Sequence, residues 1–173
     1  MLGQGRIIVN TGDGKGKTTA AFGAAFRAAG HGQQVAVVQF IKGEWNYGEV
    51  RAAERFPNLR VTRIGAGFTW LAEDPDESQR LAREAWEECL RLTGDDQLDL
   101  LVMDELNCAV AEGFVAVDEV LHLLQDKPGG LSVIITGRDA AAEIVEAADT
   151  VTDMRCVKHA FAQGVPGRRG IEY

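Results

Sequence analysis

Asn10-Thr11-Gly12-Asp13-Gly14-Lys15-Gly16-Lys17-Thr18-Thr19 is the stretch that decides how this chain folds. An apolar run precedes it, and Arg6–Asn10 reads as a strand. Small residues at helical spacing follow it, and Lys17–Ala29 reads as a helix stopped by Gly30. A glycine-rich loop between a strand and a helix is the setting of a Walker A phosphate loop. Glycines let successive backbone N–H groups point inward, and the helix N-terminus adds partial positive charge. Lys17 brings a full charge to the phosphates, and the Thr18 hydroxyl is placed to ligate magnesium. The expected phosphate-binding set is therefore Thr11, Gly12, Asp13, Gly14, Lys15, Gly16, Lys17, Thr18 and Thr19. One position departs from the generic pattern: Thr11 stands where the first glycine belongs, five places before Gly16. The competing reading, a glycine turn with no ligand, fits the flanking strand and helix less well.

Beyond that helix, short apolar runs keep alternating with helical patterns. Gln34–Phe40 reads as a strand, Ile41–Gly48 as a loop and Leu59–Arg63 as a weaker strand. Glu73–Thr93 contains a helix, with Asp74 at the N-cap, Pro75 at the first helical position and Glu77 as the capping-box carboxylate. Ala82, Trp86, Cys89, Leu90 and Thr93 recur on one face of it and predict a buried stripe. Leu98–Met103 is apolar nearly throughout, as a strand covered on both faces should be. Val117–Gln125 reads as helix, Leu131–Thr136 as strand, Ala140–Ala147 as helix and Thr150–Met154 as a last strand. The tail, Cys156–Tyr173, has no clean period. This alternation predicts an α/β fold: a P-loop NTPase-like (RecA-like) open, mostly parallel sheet with helices on both faces, in a single domain over residues 1–173. Ligands of such sheets gather at the carboxyl ends of the strands. The loops after Asn10, Gln39, Arg63, Met103 and Thr136 would then surround one site.

Leu100-Leu101-Val102-Met103-Asp104-Glu105 supplies the complement to the phosphate loop. Acidic residues ending a buried strand resemble a Walker B element, which makes Asp104 and Glu105 candidate magnesium ligands with Thr18. Arg138, just after a strand, either reaches a phosphate or is an exposed arginine. Lys42 follows the second strand and could meet a ligand. Lys158 and His159 could do the same or pin the tail. Gly65-Ala66-Gly67-Phe68-Thr69-Trp70 places two aromatics in a loop at the ligand edge. Physics alone leaves them equally suited to closing the core and to contacting a flat apolar ligand. No Ser–His–Asp set, activated cysteine or general base stands out. His31 and His122 fall at a helix end and within a helix, where exposure or packing accounts for them.

Composition narrows the partners. The chain has 173 residues, 46% apolar and 25% charged, with a net charge of -8. That balance argues against long-range attraction to nucleic acid or an anionic membrane. No apolar run reaches the length of a membrane span, and the start has no signal-peptide core. Cys89, Cys108 and Cys156 have no metal-ligand or CxxC spacing, so each reads as a small buried hydrophobe in a reducing, cytoplasmic compartment.

Taken together, these motifs give the chain a resemblance to a known family along essentially its whole length. It resembles the ATP:corrinoid adenosyltransferases of the cobalamin pathway, the type called CobA, CobO or BtuR. The residues that carry the likeness are Thr11–Thr19, Val38-Gln39-Phe40-Ile41-Lys42-Gly43, Gly67-Phe68-Thr69-Trp70, Met103-Asp104-Glu105-Leu106, Ile134-Ile135-Thr136-Gly137-Arg138, Val157-Lys158-His159-Ala160-Phe161 and Gly170-Ile171-Glu172-Tyr173. The resemblance implies that a reduced corrinoid attacks the 5′ carbon of ATP, adenosyl passes to cobalt and triphosphate leaves. It implies that Phe68 and Trp70 lie beneath the corrin ring, displace its lower axial ligand and ease reduction of cobalt(II); Lys42 joins them as a corrinoid contact. ATP is then a co-substrate and the corrinoid a substrate, with Mg²⁺ on the triphosphate, Lys17 acting electrostatically and Arg138 on the nucleotide. A homodimer and a flavodoxin-like reductase are implied as partners.

The amino end departs from the family. Several members carry an extra N-terminal helix over the site, whereas here the first strand begins almost at once. A partner subunit, a more open site or a longer natural start are the alternatives. Arg168 and Arg169 lie where the family tail is less basic. The rival readings are a P-loop kinase, which would want an arginine-rich lid not visible here, and a nucleotide-dependent switch that needs no corrinoid.

Overall fold

Val35-Ala36-Val37-Val38-Gln39 is buried at every position, as a strand covered on both faces must be, and the rest of the architecture follows from that burial. The computed structural model describes residues 4–40, 47–65 and 75–172. The strands are β1 (Ile7–Thr11), β2 (Val35–Gln39), β3 (Leu59–Arg63), β4 (Leu100–Asp104), β5 (Ser132–Thr136) and β6 (Thr150–Asp153). They form one sheet in the order β3-β2-β4-β5-β1-β6. The expectation of a mostly parallel sheet sharpens, because every observed pairing is parallel.

Side chains alternate across each strand, so the sheet feeds two separate cores. Val35, Val37, Leu100, Val102 and Ile134 pack under α1 (Lys17–Gly30) and α2 (Gly48–Ala53). Ala36, Val38, Leu101, Met103, Val133 and Ile135 pack under α3 (Pro75–Thr93), α4 (Leu106–Ala111), α5 (Val117–Asp126) and α6 (Ala142–Ala147). The small residues of α1 have a purpose here: Ala21, Ala25, Ala28 and Ala29 are buried, which brings the helix close to the strands.

α3 begins at Pro75, the expected first helical position, while the Asp74 cap lies outside the described residues. Ala82, Trp86 and Cys89 are buried as the periodicity predicts. Leu90 is a correction: it is 48% exposed, and Ala85 and Leu92 complete the stripe in its place. Leu90 sits one residue past Cys89, about 100° around the helix, which turns it toward solvent.

Two short helices escaped the sequence reading. α2 and α4 have six residues each. The tail contains a 3-10 turn, Ala160–Gln163, whose first free N–H, that of Phe161, is capped by His159 Nδ1 at 3.2 Å. Among the described residues no helix is long and apolar enough to cross a membrane.

Candidate functional site

Register brings the polar residues together. Asn10 pairs with Thr136 across β1 and β5, and Gln39 pairs with Asp104 across β2 and β4. Gln39, Asp104 and Thr136 therefore end their strands, and Asn10 stands one residue before the end of β1, all at the carboxyl edge of the sheet; one strand, β5, separates the phosphate loop from the acidic end of β4. Asn10, Gln39, Asp104 and Thr136 are all buried there. Polar groups placed so deep must hydrogen-bond, and most of these do so with one another.

Asp104 is the centre. Its Oδ1 accepts from the Thr18 hydroxyl at 2.9 Å and from the Thr136 hydroxyl at 2.7 Å. Its Oδ2 accepts from Gln39 Nε2 at 2.8 Å. The Thr18 bond joins the first turn of α1 to the end of β4, so the two halves of the expected nucleotide site meet directly. Thr136 also accepts from the Glu105 backbone N–H at 2.9 Å. Glu105 adopts a left-handed conformation, φ 67°, unusual for a residue with a side chain. The turn lets α4 start at once after β4 and leaves the Glu105 carboxylate accepting from Cys108 Sγ at 3.1 Å.

That thiol is not activated. Burial above all, with the Glu105 carboxylate beside it, pushes Cys108 up to about 12, although the Arg138 backbone and the Lys17 charge act the other way. The cysteines thus divide: Cys89 is buried as expected, whereas Cys108 is partly buried and hydrogen-bonded and Cys156 is exposed. The expectation of three buried hydrophobes holds for Cys89 alone.

The loop is arranged around Lys17, 8% exposed, whose ammonium donates to the carbonyls of Gly12 at 2.5 Å and Gly14 at 2.9 Å. No side chain caps α1, and its first turn has no acidic residue, so its N-terminal N–H groups keep their positive field for a ligand. Gly16, at φ 121°, requires the freedom of glycine. Gly12 and Gly14 have a second reason to lack side chains, because the chain leaving β6 lies against them. A Cβ on Gly12 would sit 2.1 Å from Asp153 Oδ1, and one on Gly14 would sit 2.5 Å from the Met154 carbonyl oxygen. Gly14 N–H donates to that oxygen at 2.5 Å, and Met154 N–H donates to the Thr11 carbonyl at 2.9 Å.

Thr11 acquires a local explanation. It is the last residue of β1, in register with Asp153, and its hydroxyl accepts from Ala140 N–H at 3.4 Å. It belongs to the sheet and anchors the loop after β5, so the freedom of a glycine is not needed at this position. Asp13, Lys15 and Thr19 are exposed around the loop, and Arg138 is exposed after β5. A cavity of 520 Å³ opens beside them, with Thr11, Gly12 and Asp13 on one side and Asp139, Asp153 and Arg155 among the other walls. Lys158 is exposed, and His159 spends its ring nitrogen on the 3-10 turn.

Lys42, Phe68 and Trp70, the expected corrinoid contacts, lie outside the described residues. Gln39 and Thr136 are the residues that the motif reading passed over. A signal existed: each is a polar residue closing an otherwise apolar strand. Among the described residues no group of three or more His, Cys, Asp or Glu side chains could hold a metal by itself. Thr18, Asp104 and Glu105 offer hard oxygen donors in small number. That suits magnesium, which takes one or two carboxylates and completes its shell with phosphates and water.

Comparison with known proteins agrees with this geometry. Residues 3–173 match the family model of ATP:corrinoid adenosyltransferase BtuR/CobO/CobP. The chain is 45% identical over 170 residues to a corrinoid adenosyltransferase of Escherichia coli K12, covering 98% of this chain and 86% of that one. It is 43% identical over 171 residues to a corrinoid adenosyltransferase of Pseudomonas aeruginosa, covering 98% and 84%. Among solved structures, the flagellar accessory protein FlaH of Methanocaldococcus jannaschii superposes with a TM-score of 0.55 at 12% identity, covering 87% of this chain and 71% of that one. At that identity the likeness speaks for the P-loop NTPase-like fold alone.

Proposed function

This chain belongs to the ATP:corrinoid adenosyltransferase family, and from that premise we propose how its residues move an adenosyl group from ATP to a corrinoid. The cobalt of a reduced corrinoid, as Co(I), gives an electron pair to C5′ of ATP. The cobalt–carbon bond forms as the C5′–O bond breaks, triphosphate leaves with the bonding pair, and cobalt becomes formally Co(III). No proton moves in this step, so a general base has no part in it. Alignment, exclusion of water and stabilisation of the leaving group carry the reaction.

The observation that carries the reading is the Thr18–Asp104 hydrogen bond, which couples the phosphate loop to the acidic end of β4. Thr11 to Thr19 hold the triphosphate, with Lys17 offsetting its charge and Arg138 at the mouth of the site. Thr18, Asp104 and Glu105 are the residues that would hold Mg²⁺. When bound, the ion neutralises charge on the departing triphosphate. Phe68, Trp70 and Lys42 are the residues assigned to corrinoid binding. The enzyme works as a single-domain chain in a cytoplasmic homodimer, supplied with electrons by a flavodoxin-like reductase.

The test is anaerobic incubation with ATP, magnesium and chemically reduced cobalamin, following cob(I) absorbance and identifying the phosphate product. Triphosphate together with a light-sensitive cobalt–carbon product is expected. ADP formed at a rate indifferent to corrinoid would sink the reading and favour a kinase or a regulatory ATPase.

A further inference from the structure

Gln39 ends β2 at 0% exposure, and the division of labour above leaves it without a task. Its register partner is Asp104, and its side chain reaches the same residue, with Nε2 donating to Oδ2 at 2.8 Å. The other half of the amide differs. Oε1 is buried and has no hydrogen-bond partner among the described residues. An unpaired buried amide oxygen carries a desolvation cost. An apolar residue of the same size would avoid that cost in a strand whose other residues, Val35 to Val38, are all apolar.

The orientation of the amide follows from charge. With Asp104 as a carboxylate, the edge facing it must be the donor NH₂, and the carbonyl oxygen must then point away from that contact. Thr136 makes the contrast: its hydroxyl both donates, to Asp104, and accepts, from Glu105 N–H. Thr136 is thus used on both sides, whereas Gln39 uses only its donor. An acceptor held beside the carboxylate that meets Thr18 is where a hydrogen-bond donor of the bound ligand would be expected. Neither a triphosphate nor a bare cation carries such a donor, but a hydrated magnesium ion does, because magnesium keeps several of its waters.

We infer that Gln39 is a positioning residue of the nucleotide–magnesium site. Its N–H fixes the Asp104 carboxylate in the orientation that also receives Thr18, and its Oε1 accepts a hydrogen bond from a water of the hydrated cation. Such outer partners orient metal ligands and tune affinity. Glutamate would set a second negative charge against Asp104, and leucine would offer neither bond, so a carboxamide suits the position. The inference rests on the magnesium reading above and adds to it a specific residue.

Calorimetric titration of ATP, without corrinoid, separates the possibilities when it is run once with magnesium and once with EDTA. In the unaltered enzyme magnesium should tighten ATP binding. Gln39→Leu should leave the EDTA affinity within about twofold and lose about tenfold or more of the magnesium-supported gain. Gln39→Met, of similar length and likewise without an amide, should do the same and carries the comparison if the leucine variant does not fold. Equal losses with and without magnesium would assign Gln39 to packing and overturn the inference. So would affinities that match the unaltered enzyme in both conditions. If magnesium has no effect on the unaltered enzyme, the magnesium reading itself falls, and this inference falls with it.

Discussion

Two segments grip the phosphate loop, and they are built in opposite ways. On one side, Thr18 is tied to Asp104, which Gln39 and Thr136 hold in turn, all through side chains and with Asp104, Gln39 and Thr136 at 0% exposure. On the other, residues 153–155 reach Thr11 and Gly14 through backbone atoms, and every residue of β6 is exposed. Both belong to the same parallel sheet. The central strands are fixed by apolar cores on two faces, whereas β6 is fixed by its ladder to β1. Charge divides the same way: residues 155–173 carry four Lys or Arg against one Glu, and the rest of the chain carries 14 against 25. The lesson is that a low-dielectric junction holds charged groups in one geometry, since any displacement would strand a buried charge. A backbone contact at the surface can be exchanged for water at little cost.

Substitutions on either side of the loop should therefore differ in size. Lys17→Ala removes the buried cation from the loop, and its turnover should fall by about 100-fold or more, the scale seen when an electrostatic donor is deleted from an active site. Steady-state kinetics with reduced cobalamin would check this, and near-normal rates would place the phosphates elsewhere. Gly14→Ala tests the surface grip. Its Cβ would press on the backbone of Met154 and Arg155, at 2.5 and 2.8 Å, so this exposed segment must shift to make room. ATP affinity should fall by about tenfold, ~1.4 kcal/mol, with the urea midpoint little changed. A loss as large as that of Lys17→Ala would show that residues 153–155, the strap across the loop, are held as rigidly as the buried junction.

The smallest effect belongs to the helices that cover the central strands. Arg83 of α3 and Glu119 of α5 form a two-pronged ion pair at 2.8 and 3.0 Å, with more than a third of each side chain in solvent. The hydrogen bond from Arg83, then that from Ala116 N–H, hold Glu119 below the ordinary carboxylate value. A depressed carboxylate stabilises the fold above its unfolded pKa, and that contribution is lost as the pH falls through its folded value. Glu119→Gln should destabilise by about 0.5 kcal/mol at neutral pH, the range of exposed pairs, and the difference should fade in acid. Urea midpoints followed from pH 7 into acid would check it. A deficit that persisted in acid would show that packing around the pair, rather than its charge, joins the two helices.

The phosphate loop was legible because its requirement is local: glycines, a lysine and a threonine at a strand–helix junction need only their neighbours. The strands of the middle were legible because burial on both faces leaves an apolar run. The reading weakened where position depends on distant segments. Leu90 looked as apolar as Cys89, and only the placement of α3 on the sheet turns it outward. α4 gave no local signal because it starts from a left-handed Glu105, whose N–H is held by Thr136 on another strand.

By itself, then, the sequence determined the α/β alternation, the phosphate loop, the acidic end of β4 and membership of the family, since each is written in contiguous residues. Tertiary structure alone decided that Thr11 serves as a strand end bonded to Ala140, that Gly12 and Gly14 must also clear the strap, and that Gln39 and Thr136 meet on Asp104. Those facts depend on strand order and register. Residues 39, 104 and 136 become neighbours only after the hydrophobic effect has packed their strands side by side.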